Sequence, residues 1–574
     1  MQTALALPKS EPISSAESRV LKQLLEALLF EGQLEFSQHA TSNGDRMRFN
    51  LTIQGQNYTL YGKQAGFDRI RVEKNTVLAS GLSLGLLLTA CDSNPDAIQR
   101  LQQELQQTIT LSDWNAMHLH RPTTRRHLSS QQLEQLLDEG HLYHPCFKAR
   151  TGFSIADHRL YGPEAGHDFQ LHWLAVDRQK VKMNLPCGES QFWIKEIGQT
   201  SWELLNERLR LLDGNWHDYA LLPIHPWQWL TLKADMLHNW LQDGTVLYLA
   251  AAGDSYQATQ SVRSLMNVSN PVKAHIKLPL NMVNTSALRT LEPHSVCSAP
   301  VISHWLKQIV DNDPYLSQQQ PLVILEEYAG ILVEPEQNDL AGQLAVIWRD
   351  SIDKHAQPHE TAIPFNALLL TEQDGKPFID DWIQQYSLQV WLKQLFDTSV
   401  LPVWHLLVEH GIAIEAHAQN LILLHQDGWP QRLAARDFHE SVEFVEDFLA
   451  QPELKPDFLS LDSRYADDSP DTFYWMQNID ALRELFVDTM YIYNLSELAH
   501  LLSEHYRFNE RQFWRLLQTS LEQYAETHPL NVTRAARIGM QQKQFRTESL
   551  ITRKLRYPQT AECHHVVKNP FYSV

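Results

Sequence analysis

Between Glu415 and Glu440 the chain reads EAHAQNLILLHQDGWPQRLAARDFHE, where carboxylate, amide and imidazole groups flank two short apolar runs. Leu421 to Leu424 is an apolar strand, Asp427-Gly428 a strong turn dipeptide, and Arg432 to Phe438 the returning strand. This hairpin brings Asn420 and Asp437 together, with Glu415 and His417 just upstream. Glu415, Asn420 and Asp437 are oxygen donors suited to a divalent cation carrying nucleotide phosphates, because magnesium takes few protein oxygens beside those of the phosphates. A buried polar network bracing the hairpin would use the same residues, and spacing alone does not separate the two readings.

Two further clusters have the makings of anion sites. Thr259-Gln260-Ser261-Val262-Arg263 is followed by Lys273, Lys277, Asn284-Thr285-Ser286 and Arg289, a concentration of cations and hydroxyls in an acidic chain. Arg263 and Arg289 can each make paired hydrogen bonds to an oxyanion, whereas Lys277 offers one compact charge. His144-Pro145-Cys146-Phe147-Lys148-Ala149-Arg150-Thr151-Gly152-Phe153 sets His144, Lys148 and Arg150 on one short segment, as an anion-contacting loop or a solvated basic turn would. In Pro223-Ile224-His225-Pro226-Trp227-Gln228-Trp229 the structural reading is favoured: prolines fix a turn, tryptophans pack and His225 bonds a backbone carbonyl.

Other patterns are weaker. Gly81-Leu82-Ser83-Leu84-Gly85 matches the G-x-S-x-G elbow, so a serine hydrolase using Ser83 is an alternative, but a helix start fits its surroundings better. His405-Leu406-Leu407-Val408-Glu409-His410 has the wrong spacing for a zinc helix and reads as core or cap histidines. Neither GxxxxGK[ST] nor GxGxxG is present.

Elements to position these groups follow from periodicity. Ser15 is expected to cap a helix over Glu17 to Phe30. Met47 to Val72 alternates as a small antiparallel sheet, and helices follow over about 81–109 and 130–139. Apolar runs at Tyr219–Ile224, Leu322–Leu325 and Leu344–Ile347 read as sheet cores. Residues 387–410 read as a helix ended by Gly411, and helices dominate from about 470 to 527.

Length and composition bound the class. The 574 residues suffice for about three domains. With 48 basic and 68 acidic residues the net charge is −20, which opposes broad contact with a nucleic-acid backbone. Five cysteines without a CxxC pair indicate neither a disulfide framework nor a thiolate zinc site. The N-terminus lacks a secretory pattern and no apolar run has membrane-spanning length, so a cytoplasmic protein without membrane association is expected.

Taken together, HPCFKARTGF, IHPWQW, Ser261-x-Arg263 with Lys277 and NTSALRT, and IEAHAQN with ARDFHES resemble the IucA/IucC family of NRPS-independent siderophore synthetases, in the right order from about residue 140 to Asn569-Pro570. The resemblance implies an α+β cupped hand of thumb (1–189, with 1–14 flexible), fingers (190–386) and a largely helical palm (387–574), the nucleotide lying between fingers and palm. It implies an ATP- and Mg2+-dependent ligase that adenylates a carboxylate of citrate or a related acid and condenses it with an amine, hydroxylamine or alcohol. On the matching positions, Ser261, Arg263 and Lys277 would contact phosphates, and Glu415, His417, Gln419, Asn420 and Asp437 would bind nucleotide and magnesium. Thr285, Ser286 and Arg289 would hold the acid, with His144, Lys148 and Arg150 also on the substrate side. His417, Arg289 and Lys277 would be catalytic. A kinase-like phosphotransferase is the alternative; a homodimer is one allowed state.

Overall fold

The computed structural model describes residues 14–42, 44–334, 340–467, 469–558 and 561–572. The flexible lead expected at the N-terminus falls, up to residue 13, outside them. The first helix runs Ser15–Phe30, and its cap is Ser14 rather than Ser15: the Ser14 hydroxyl accepts from the Glu17 amide at 3.0 Å. Antiparallel strands Phe36–Ala40, Met47–Ile53, Gln56–Gln64 and Ile70–Val72 follow in order. The stretch expected as one helix over 81–109 is divided, into Leu84–Thr89 and Pro95–His118, because Ser83 and Asn94 each cap a new start. Ser83 accepts from the Leu86 amide and is a helix cap, not a nucleophile elbow.

The middle of the chain builds an eight-stranded antiparallel sheet. Its order is Val181–Asn184, Glu327–Val333, Ala345–Arg349, His275–Lys277, Ser264–Asn267, Val246–Ala258, Phe169–Asp177, Tyr219–Ile224. Strand alternation assigns the two faces. Ile276, Val346 and Trp348 enter a core with Trp173, Trp193 and Leu265. Lys277 and Arg349, which share the other face of adjoining strands, are left for the neighbouring layer.

That layer is a second sheet, Leu322–Ile324, Trp429–Ala435, Leu421–Gln426, Thr361–Pro364. Its central hairpin turns at Asp427 (φ 50) and Gly428 (φ 84), as the turn dipeptide requires. A Cβ on Gly428 would lie 2.1 Å from the Trp382 ring, so side-chain-free backbone is needed there. The helix Leu388–His405 passes into a π-helical turn, Leu406–His410, before the left-handed Gly411. One apolar core joins the two ends of the chain: Leu24, Phe49, Leu105 and Cys146 pack with Trp391, Leu423, Tyr491 and Trp514. Glu31, ending the first helix, accepts from the amides of Ile551 and Thr552 at the start of the helix Leu550–Leu555. Among the described residues no helix is long and apolar enough to cross a membrane.

Candidate active site

A cleft of about 400 Å3 opens between the eight-stranded sheet and the hairpin layer. Ser261, Arg263, Lys277, Thr285, Ser286 and Arg289 line it from the sheet side, and Glu415, His417, Gln419, Asn420 and Asp437 from the hairpin side. The two walls touch: Lys277 donates to Asp437 Oδ1 at 3.0 Å, and Arg349 donates to the same oxygen.

Strained backbone aims several of these groups. Val262, buried between Ser261 and Arg263, has φ 69, and Thr285, in the turn joining strands Val283–Asn284 and Ala287–Leu288, has φ 60. Left-handed backbone is unfavourable for β-branched residues and persists only where the surroundings impose it. Here the imposing contacts are the Thr259 amide to Ser264 carbonyl bond at 2.9 Å and the Thr259 hydroxyl to the same carbonyl at 3.0 Å. Asp437 (φ 66) is likewise left-handed, so the returning strand ends at Ala435 and not at Phe438 as expected. The Arg436 amide donates to the Asn420 carbonyl at 3.0 Å, which holds the two ends of the hairpin in register.

The basic wall carries surplus charge. The Arg289 guanidinium spends Nη2 on the Asn284 carbonyl at 2.7 Å, while its buried Nε has no partner. Burial, and then the charge of Arg263, push Arg289 down to about 9. Burial also lowers Lys277, against the pull of Asp437. The Asp437 carboxyl would be raised by burial, but Arg349 and Lys277 hold it well below the usual carboxylate range. Both contacts fall on Oδ1, and among the described residues Oδ2 has no hydrogen-bond partner. Asn420 donates to Glu415 Oε2 at 3.3 Å, so its amide oxygen is turned elsewhere, and His417 Nδ1 accepts from the Gln419 amide at 3.1 Å.

His144, too, lines the cleft; burial drives its pKa far down, its Nδ1 accepts from the Cys146 amide and its buried Nε2 is unpartnered. Lys148 and Arg150 are corrections to the sequence reading. Both side chains are 1% exposed and both pair with Glu164, at 2.7 and 2.8 Å, away from the cleft lining. Two buried cations demand a carboxylate, and Glu164 supplies it. What the segment does for the site passes through Thr151, whose hydroxyl accepts from the Val283 amide at 2.7 Å and so anchors the hairpin carrying Thr285 and Ser286.

Several lining residues escaped the sequence reading. Arg349 ends a wholly buried strand, and a cation closing an apolar run was the available signal. His439 and Glu440 stood inside the quoted ARDFHE segment. Glu327 bolts that segment to the sheet, accepting from the Phe438 amide at 3.2 Å and facing His439 Nδ1 at 3.0 Å. Glu440 would be raised by burial but is held down to about 2 by His439 and Arg263. His225 is structural, but its partner is an amide and not a carbonyl: Nδ1 accepts from Trp227 N–H and caps the helix Pro226–Leu232. His405 and His410, brought onto one side by the π-helical turn, meet Asp313 Oδ2 at 3.0 and 2.8 Å in a buried brace outside the cleft lining.

The far end of the cleft is acidic. Asp488, Glu548 and Arg553 line it, and Glu443 and Glu484 stand behind. Burial, and then the charges of Glu562, Glu484 and Glu415, push Glu443 up to about 8. In the unfolded chain this carboxyl ionises in the ordinary range, so its protonated form favours the fold at low pH and the contribution is lost as pH rises through about 8. The stability advantage of Glu443→Gln over wild type is therefore expected to grow from about pH 5 to about pH 8 and then level off. Thermal midpoints across a pH series check this, and a constant difference would refute it.

Residues 129–370 match the family model described as IucA / IucC family, and residues 389–562 one described as Ferric iron reductase FhuF-like transporter. The citryl-spermidine/3,4-dihydroxybenzoyl-citryl-spermidine:spermidine ligase of Bacillus anthracis is 33% identical, over 98% of this chain and 94% of that protein. The 2-[(L-alanin-3-ylcarbamoyl)methyl]-3-(2-aminoethylcarbamoyl)-2-hydroxypropanoate synthase of Staphylococcus aureus is 29% identical, over 97% and 93%. Among solved structures, the petrobactin biosynthesis protein AsbB of Bacillus anthracis str. Sterne superposes with a TM-score of 0.89 at 32% identity, covering 97% of this chain and 95% of that one. ATP-bound aerobactin synthetase IucA from a hypervirulent pathotype of Klebsiella pneumoniae shares the fold, with a TM-score of 0.73 at 16% identity over 96% and 99% of the chains. With a third of its residues identical to a ligase along nearly its whole length, and with residues 129–370 matching the family model, the chain belongs to the IucA/IucC family of NRPS-independent siderophore synthetases.

Proposed function

We propose that this synthetase uses ATP to adenylate a carboxylate of citrate or a citrate derivative, and that an amine then displaces AMP to give an amide. The observation that carries the reading is the pairing of walls: cations from 261–289 face oxygen donors from 415–437 across one cavity, in contact at Lys277 and Asp437. Drawing a polyanionic acid to the α-phosphate of ATP brings like charges together, and buried guanidiniums already fixed in place offset that at no reorganisation cost. Arg289, fixed by the Asn284 carbonyl, lines the cleft beside the hydroxyls of Thr285 and Ser286 and would hold the acid with them. Arg263 and Ser261 are placed for phosphate.

Glu415, the Asn420 amide oxygen and Asp437 Oδ2 form a donor set that fits magnesium, since the ion needs few protein oxygens. When bound it would neutralise phosphate charge. His417 Nδ1 accepts from a backbone amide, so the neutral ring carries its proton on Nε2, 3.6 Å from Glu415 Oε1, and the proton of the incoming amine would pass to this His417–Glu415 pair. His417→Ala is accordingly expected to slow amide formation by about 10²–10⁴-fold while leaving pyrophosphate release with hydroxylamine, a weakly basic acceptor, much less affected. Equal loss in both assays would remove His417 from the proton-accepting role.

The reaction itself is tested by supplying ATP, magnesium and a panel of acids, including citrate, succinate and citryl amides, with hydroxylamine as acceptor. Acid-dependent AMP and pyrophosphate are expected. Formation of ADP would point to a phosphotransferase, and silence with every acid would overturn the reading.

A further inference from the structure

The segment His405-Leu406-Leu407-Val408-Glu409-His410 contributes nothing to the cleft lining, yet the fold turns it toward a second set of donor atoms. In an α-helix, residues five apart point about 140° away from each other. The π-helical turn Leu406–His410 removes that divergence, because i→i+5 bonding sets His410 over His405. Asp313 meets the pair from the end of the helix Pro293–Asn312. Both Nε2 atoms converge on its Oδ2, at 3.0 Å from His405 and 2.8 Å from His410. Among the described residues this is the only group of three or more histidine, cysteine, aspartate or glutamate side chains whose ligand atoms all lie within 4.8 Å of one another.

The surroundings hold these donors as the outer shell of a metal site does. Asp313 Oδ1 accepts from the amides of Tyr315 and Leu316 at 2.7 and 3.0 Å, which turns Oδ2 toward the imidazoles. The Tyr315 ring stacks on His405 with centroids 4.4 Å apart and fixes its plane. His405 Nδ1 lies 2.7 Å from the Tyr524 hydroxyl, to which Asn531 donates at 3.0 Å. A hydroxyl both donates and accepts, so Tyr524 serves His405 in either tautomer. With the ring proton on Nδ1, the Nε2 lone pair faces Asp313 and is available to a cation. The side chains of Asp313 and His410 keep 10% and 11% of their surface exposed, so the group is open to solvent on that side. Two imidazoles and one carboxylate suit first-row transition ions, whereas magnesium and calcium take oxygen ligands. Three protein ligands, with water completing the sphere, lie within the range of zinc.

We propose that Asp313 Oδ2, His405 Nε2 and His410 Nε2 bind one divalent first-row transition ion of the zinc type, at a site separate from the oxygen donors of the cleft. Coordinate bonds would then replace the hydrogen bonds of the brace. The place of the ion gives it a structural role. Asp313 ends the helix whose Val296 and Ala299 pack on Leu332, Ala345 and Ile347 of the eight-stranded sheet. His410 leads through Gly411 and the strand Ile412–Ile414 to Glu415 in the cleft. An ion at this point ties together the supports of both walls, and binding it to the folded chain alone raises stability.

The test titrates the full chain, stripped with EDTA and kept reduced, with Zn2+ against a chromophoric chelator in excess Mg2+. Wild type is expected to take up one equivalent that His410→Ala lacks, and Zn2+ is expected to raise the thermal midpoint of wild type but not of His410→Ala. Co2+ reports the ligands directly: visible d–d bands of a nitrogen- and oxygen-ligated ion should form with wild type, be lost on adding Zn2+ and be absent in His410→Ala. Should that variant lose its fold, Tyr524→Phe decides, since it leaves all three ligands in place and should weaken Zn2+ by about 10–100-fold. No uptake by wild type, the behaviour of a brace held by hydrogen bonds alone, overturns the proposal. Uptake that His410→Ala, or failing it Tyr524→Phe, leaves unchanged also overturns it, by placing the ion on histidines or thiols elsewhere.

Discussion

Arg289→Ala is expected to lower kcat/KM for acid-dependent pyrophosphate release by about 10²–10³-fold, the loss of about 2.7–4 kcal/mol typical of removing one preorganised donor. The side chain is suited to that weight. One guanidinium nitrogen is spent on the Asn284 carbonyl, which fixes the fork, and the side chain lines the cleft, where an oxyanion would enter. Arg263 lies close enough to press Arg289 downward, so the pair concentrates positive charge that Asp437 and Glu415 offset only in part in the free protein. A bound carboxylate or phosphate relieves that repulsion at the moment it is needed. Arg289→Lys should recover little, because one ammonium cannot hold the carbonyl and the anion in the same fixed geometry. The measurement is steady-state pyrophosphate release as the acid is varied, with the thermal midpoint as a control. Activity within a few-fold of wild type in Arg289→Ala would place the acid elsewhere.

How far the sequence was legible depends on the range of the interactions. The hairpin was readable because its instructions are local: an apolar run, Asp427-Gly428, and a second run, with Asn420 and Asp437 necessarily at its open end. The basic wall was readable because Ser261, Arg263, Lys277 and Arg289 crowd into one stretch of a chain with a net charge of −20. Lys148 and Arg150 were misread for the same reason. Their charges are visible, but the carboxylate that neutralises them, Glu164, is separated in sequence and sits in a glycine- and proline-rich stretch with no chemistry of its own. The acidic wall was invisible. Glu484 and Asp488 stand one helical turn apart, but Glu443 and Glu548 come from strands elsewhere in the chain, and only the long-range packing of the C-terminal segments assembles the four. The same holds for the first 140 residues, whose apolar side chains enter the core of the last third of the chain through contacts no local pattern encodes.

Glu164→Gln is expected to destabilise the protein by about 3–5 kcal/mol, because it strips the shared carboxylate from two buried cations. Among the described residues Lys148 and Arg150 have no equivalent replacement: apart from Glu164, Lys148 reaches Asp138 at 3.8 Å and Arg150 reaches His158 at 3.1 Å. Burial already lowers Lys148 to about 8, so in the variant it can shed its proton. Arg150 cannot, and the penalty falls on its guanidinium. Adding Arg150→Met to Glu164→Gln should therefore restore a large part of the lost stability, a non-additivity that identifies the triad as one unit. Denaturant midpoints of the two single variants and the double variant measure it. If HPCFKARTGF instead supplied its cations to substrate, Lys148→Met and Arg150→Met would depress turnover with little change in midpoint, and the double variant would show no recovery. The brace also explains how a segment that touches substrate through neither cation can matter for catalysis. It sets the position of Thr151, Thr151 holds the Val283 amide, and Val283 begins the strained turn from which Thr285, Ser286 and Arg289 enter the cleft.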